Sequence, residues 1–201
     1  MNKSRVEAFN DAVIAIILTI MVLEFKTPNS LQLSALTPQF PYLISYAIGY
    51  LFIGTAWYNH HFIFSKTKVL SKRIYWANNF WLFATSFIPV ATSWVGKGIN
   101  ARGPETFYSL VYLLWFLSYS ILSRTIVSEN YRHGHQDVAL NIKNTTVHQL
   151  TIHWYSWLIL VIAMILSIIF LPALQMAVIT VQILINAVNT PKDADSLFES
   201  N

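Results

Sequence analysis

The chain predicts an all-α integral membrane protein with six transmembrane helices, on three observations. Charged residues make up only 11% of its 201 positions, against roughly a quarter in ordinary globular chains. Apolar residues reach 55% and aromatics 15%, with a mean hydropathy of +0.47. The apolar positions also gather into runs near the roughly 20 residues that a helix needs to cross a hydrocarbon core about 30 Å thick.

Taken in order, the spans are about 5–26, 40–64, 75–96, 106–127, 152–171 and 173–190. Charges or prolines bound the first four. The first, from about Val6 to Phe25, is long enough to span and lacks a small-residue cleavage site, so it is expected to stay attached. A polar stretch from Ser128 to about Thr151 precedes a tract too long for one ordinary crossing. Pro172 divides that tract, because proline removes a helix donor and clashes with the preceding turn. Two spans joined by a tight reversal are expected, the alternative being one bent helix and five spans. Residues 1–190 then form one membrane domain and 191–201 a polar tail.

Orientation follows from Lys and Arg. Ten of the 13 basic residues, among them Lys3, Arg5, Lys66, Lys68, Lys72, Arg73, Arg124, Arg132, Lys143 and Lys192, fall on one side. Lys26, Lys97 and Arg102 fall on the other, which places both termini in the cytoplasm of a multi-pass cell-membrane protein. The net charge of +4 and pI near 9.3 do not mark a nucleic-acid binder, because the basic residues sit between apolar runs and not along an amphipathic stripe. Cysteine is absent, which excludes disulfides, thiolate metal sites and cysteine nucleophiles. No phosphate loop, nucleotide fingerprint, serine elbow or carboxylate pair is visible, so no enzymatic activity is expected.

The first helix concentrates polar groups inside an apolar run, with Arg5, Glu7, Asn10 and Asp11 early, Thr19 in the middle and Glu24 near its end. At about 100° per residue, Phe9, Ile16, Ile20 and Leu23 fall within about 40° of one line, with Thr19 about 60° to one side. Asp11 lies about 140° away, so the stripe and the carboxylate face different neighbours.

The segment Arg5-x-x-x-Phe9-Asn10-Asp11 resembles the R-x-x-x-F-S-D motif that opens the first helix of bacterial relatives of the endolysosomal potassium channel transmembrane protein 175. Trp57-x-x-His60 closing the second helix, six spans and the overall length extend the resemblance over nearly the whole chain, with Asn10 departing from the usual serine. The resemblance implies a homotetrameric, modestly potassium-selective cation channel whose first helices line one central pore. It has a non-canonical potassium-channel fold without a T-V-G-Y-G filter. Mapped from the motif aspartate, the pore-facing positions are Ile16, Thr19, Ile20 and Leu23, with Ile16 expected at the narrowest point and Thr19 at the selectivity layer. Arg5, Phe9, Asn10, Asp11, Trp57, His60 and Asn78 are expected to form a structural network. The permeant ion is potassium; no cofactor or metal is expected, and the partners are other copies of the chain, lipids and monovalent cations.

Plainer readings stand beside these. An Ile/Leu stripe also serves packing or lipid contact, and a lone Thr19 also bonds back to its own helix. Asp11 and Arg5 suit a proton-coupled or cation transporter, although a structural role with His60, Asn78 or Asn79 as partners of Asp11 fits its position better. His60-His61, His133, His135, His148 and His153 lack Glu or Cys at ligand spacing, so pH response of the polar stretch is the stronger expectation. Glu24 suits an outer mouth or a solvated helix end equally. Gln175, Gln182, Asn186 and Asn189 form a polar line suited to interhelical hydrogen bonds. No internal duplication supports the transporter alternative, but Pro89 inside the third run is a feature that transporters use.

Overall fold

A computed structural model describes residues 2–189, so Lys192 and the expected 191–201 tail lie outside the described residues. All regular structure among the described residues is helical. The long elements are α1 (Lys3–Met21), α2 (Phe40–Lys66), α3 (Lys72–Thr85), α4 (Ile88–Gly96) and α5 (Arg102–Arg132). They are followed by α6 (Gln136–Lys143), α7 (Thr146–Ile152), α8 (Trp154–Phe170) and α9 (Leu174–Val188).

Asn2 caps α1 by accepting from Ser4 N at 3.2 Å, which satisfies one of the free amides of the first turn. The helix tightens at its other end into a 3₁₀ turn, Val22–Glu24. α2 starts with Pro41 in its first turn, where no amide is needed. Its Gly49 allows α1 and α4 to approach: a Cβ there would lie 2.6 Å from Met21 Cε and 2.8 Å from Thr92 Oγ1.

The apolar run 75–96 does not form a continuous helix. α3 ends at Thr85 and α4 starts at Ile88, with Pro89 in its first turn. Proline has no amide for the carbonyl of Thr85, and its ring collides with that turn, so the helix breaks just upstream. Both pieces pack on α5, the chain's central helix. Trp115, Phe116, Tyr119, Leu122 and Ile126 of α5 are buried. Phe52 meets Trp115 edge-on at 4.7 Å, and Phe116 meets Trp157 the same way at 4.6 Å.

The polar stretch turns at Gly134, whose φ of +83° lies in the left-handed region that glycine adopts without a Cβ penalty. It continues as α6 and α7. α7 is bent 75° from α8, which places it across the mouth of that helix and not in line with it. α8 stops at Phe170, and Leu174 N donates to Leu171 O at 2.9 Å across the Pro172 turn. α9 then packs back against α8, so the tract is a helical hairpin and not one bent helix.

Among the described residues, three stretches are by themselves long and apolar enough to cross a membrane: Lys3–Glu24, Leu33–Lys66 and Arg102–Arg132. α7 with α8 makes a fourth if the bent pair is one span, and α9, at 15 residues, is shorter. The chain is a multi-helix membrane protein built around α5.

Candidate pore-lining helix and its anchor

α1 has two faces of different character. Val6, Asn10, Ile14, Ile17 and Met21 recur every three or four residues and are buried against α2, α3 and α4. The opposite face is left largely exposed by the rest of the chain. Phe9 is 51% exposed, Ile16 59%, Ile20 40% and Leu23 77%. Thr19 is exposed beside them, and its hydroxyl donates to Ala15 O and Ile16 O, both at 3.0 Å. The back-bonded reading of Thr19 is therefore what the structure adopts. Because the hydroxyl proton points into the helix, the oxygen keeps lone pairs for an acceptor role.

The inner face is anchored by a buried amide cluster. Asn10 Nδ2 donates to Asn78 Oδ1 at 3.3 Å, and Asn78 Nδ2 returns a bond to Asn10 Oδ1 at 2.8 Å. His60 Nε2 lies 2.7 Å from the same Asn78 Oδ1, so that nitrogen carries the proton. The imidazole is stacked on Trp81 at 4.2 Å and on Phe64 at 4.5 Å. This ties α1, α2 and α3 together with the amide and imidazole groups satisfied, the condition under which polar groups are tolerated away from water.

Asp11 does not join that cluster. One residue further round the helix, it accepts from Trp57 Nε1 at 2.8 Å on an exposed rim, and Trp57 stacks on His61 at 5.7 Å. The expected partners of Asp11 thus belong to Asn10, while Asn79 turns back to Tyr75 O at 2.8 Å. Arg5 and Phe9 stand exposed on the stripe side of α1, outside the cluster.

Three contacts had no distinct signal in the sequence. Lys3 Nζ donates to Ser65 O and Thr67 O, both at 2.9 Å, and so fastens the start of α1 to the end of α2. Tyr42 donates from α2 to Met21 O at the other end. Ser93 of α4 donates to Glu24 Oε2 at 2.9 Å, so this carboxylate has a partner within the chain. On the last helix, Gln175 is buried and accepts from Ser167 of α8, whereas Asn189 bonds to Ile185 O of its own helix at 2.7 Å.

His148 does not make the polar stretch responsive near neutrality. It is buried with Nδ1 2.6 Å from Ser123 Oγ, and burial, helped by the nearby Arg124 and Lys143 cations, lowers its pKa to about 4. Among the described residues, no three His, Cys, Asp or Glu groups converge as a metal site.

A bundle of apolar helices with one long helix presenting an unpartnered face defines a polytopic membrane protein. Residues 5–89, which span α1 to the α3–α4 break, match the family model described as "Endosomal/lysosomal potassium channel TMEM175". A potassium channel of Chryseobacterium sp. (strain P1-3) is 39% identical over 127 residues, covering 63% of this chain and 66% of that protein. One of Streptomyces collinus is 29% identical over 140 residues, covering 67% and 68%. These alignments span about two thirds of the relatives' length. The crystal structure of a lysosomal potassium-selective channel TMEM175 homolog from Chamaesiphon minutus superposes with a TM-score of 0.72 at 24% identity, covering 92% of this chain and 96% of that one. The chain belongs to the TMEM175 family and shares the fold of that channel.

Proposed function

We propose that the chain is one subunit of a homotetrameric, modestly potassium-selective cation channel of the cell membrane. Four α1 helices surround the axis, and both termini lie in the cytoplasm. Residues 1–190 form the channel domain, its six spans being α1, α2, the broken α3–α4 unit, α5, α8 and α9. The observation that carries this reading is the outward face of α1. A helix whose inner face is fixed by a satisfied amide cluster leaves Ile16, Thr19, Ile20 and Leu23 exposed on its outer face. The names of the Chryseobacterium and Streptomyces relatives support the same activity.

Rings of Ile16, Ile20 and Leu23 make a neck that water leaves readily, and a dewetted gap is a barrier to any ion. Widening the neck hydrates it. Potassium gives up its water more easily than sodium, so a neck that strips part of the hydration shell favours potassium. Thr19 oxygens, with their protons turned into the helix, replace some of the lost water. This gives weaker discrimination than a carbonyl filter.

Purified protein in liposomes under opposing potassium and sodium gradients tests the reading. A channel gives passive, electrogenic flux. A secondary cation or proton-coupled transporter gives coupled flux that stops without its counter-ion, and would use the α3–α4 break as its moving part. The buried Thr85 and Ile88 on either side of that break pack it into the core, which favours the channel. Ile16→Asn is expected to raise conductance several-fold and weaken potassium preference; unchanged currents from correctly assembled Ile16→Asn tetramers move the neck elsewhere.

A further inference from the structure

The basic end of the bundle contains a pocket lined by basic side chains, apart from α1. An open pocket of about 440 Å³ lies between the start of α3 and the end of α5, lined by Ser71, Lys72, Arg73, Glu129, Arg132 and His133. Glu129 sits at its base with its side chain only 6% exposed. Its Oε1 receives Nη1 of Arg73 at 3.5 Å and Nη1 of Arg132 at 3.4 Å. The two arginine side chains remain 67% and 58% exposed. One buried carboxylate therefore converges two arginines from different helices while leaving most of their donors open. With Lys72 the pocket carries three positive charges against one negative.

Planar guanidiniums held in this way suit the bidentate recognition of a phosphate oxygen pair. Two neighbours indicate where such a phosphate comes from. Trp76, one turn along α3 from Arg73 and Lys72, is 61% exposed, and Tyr131, beside Arg132 on α5, is 38% exposed. Amphipathic rings of this kind sit at the level of lipid headgroups. Arg73, Lys72 and Arg132 also belong to the basic side of the chain, where cytoplasmic anionic lipids lie.

We propose that the Arg73–Glu129–Arg132 pocket binds the phosphodiester headgroup of an anionic phospholipid from the cytoplasmic leaflet, with Trp76 against the upper acyl chains. The proposal rests on the membrane orientation of the proposed function but not on ion conduction. Its test therefore reads lipid binding and not flux.

The full-length protein, purified in detergent, is titrated with phosphatidylglycerol, phosphatidylcholine or inorganic phosphate. Retained lipid is counted by native mass spectrometry, and the thermal midpoint is followed in parallel. Wild type is expected to retain phosphatidylglycerol over phosphatidylcholine. R73Q/R132Q is expected to lose that preference by at least about fivefold, the worth of one cation at an anionic surface. K66Q/K143Q removes the same charge elsewhere on the basic side and is expected to keep it. R73Q/E129Q/R132Q, which leaves no carboxylate buried alone, separates loss of the site from loss of folding, and is expected to behave as R73Q/R132Q does. Equal losses in R73Q/R132Q and K66Q/K143Q, or no preference in wild type, overturn the proposal. Stabilisation by inorganic phosphate without retention of phosphatidylglycerol overturns the lipid as the source.

Discussion

α1 and α5 are both long, apolar helices, yet the most apolar window of α1 is 28% buried within the chain and that of α5 is 56% buried. α5 finds its neighbours at home: α3, α4, α6 and α7 all pack on it, and Trp115, Tyr119 and Leu122 are enclosed. α1 fills only its inner face that way. Apolarity reports that a helix leaves water, not what it meets afterwards. In a bilayer the outward face of α1 has two possible neighbours, lipid or a copy of itself, and both are equally apolar. The lesson is that the polar anchor, not the greasy stripe, sets which face of α1 turns outward. Asn10 fixes the rotation of the helix through Asn78, and the stripe goes where that rotation sends it.

This contrast has measurable consequences. The largest is expected from Trp81→Ala. Trp81 is fully buried between the anchor and the α5 side of the bundle and stacks on His60, so its loss opens a large cavity worth about 3–5 kcal/mol. Thermal unfolding of the solubilised protein checks it. Asn78→Ala comes next: it leaves the Asn10 amide and the His60 imidazole without partners, at about 1–3 kcal/mol for each orphaned group. The same scan, together with the oligomer peak on size exclusion, reads this effect. If Ile16→Ala, on the exposed face, destabilised the isolated subunit as much as Asn78→Ala, the distinction between the two faces would fail.

The all-helical class was legible from composition and run length, because the bilayer imposes both. The hairpin at Pro172 and the break before Pro89 follow from the same chemistry of a missing amide. Only the first is legible as a break, because the 152–190 tract is too long for one crossing, whereas the 75–96 run fits a single span despite its proline. The anchor was visible as a set of residues but assigned to the wrong member. His60 and Asn78 were expected to serve Asp11, the charged group with the greater need for a partner. One step of about 100° along the helix gives Asn78, and through it His60, to Asn10 and leaves Asp11 to Trp57. Lys3 carried no signal, since its partners are backbone carbonyls of Ser65 and Thr67, which no residue pattern announces.

A smaller effect, read by pH, comes from α7 where His148 packs on the buried end of α5. His148 is neutral in the fold, with a pKa lowered to about 4 from an ordinary 6.5 because burial disfavours the imidazolium. An unfolded chain binds that proton more readily, so stability is fully present above pH 6.5 and falls as pH drops towards 4. His148→Gln, which retains a group able to reach Ser123, is expected to flatten this slope. Thermal midpoints measured between pH 7 and pH 4 for both proteins decide it, and parallel curves would remove His148 as the cause.

Thr19→Val is expected to change stability least, within about 0.5 kcal/mol, because it alters an exposed side chain and keeps its β-branched shape. The hydroxyl it removes bonds only to the carbonyls of Ala15 and Ile16, which already accept from helix amides. Its effect on conduction is the reverse of its effect on folding. With the oxygen gone, nothing on the neck replaces the water a cation leaves behind, so the reversal potential under opposed potassium and sodium gradients is expected to move towards zero and unitary conductance to fall. A variant that assembles normally and keeps its reversal potential would leave the outward face as a packing surface, and α1 would then differ from α5 only in finding its neighbours in another subunit.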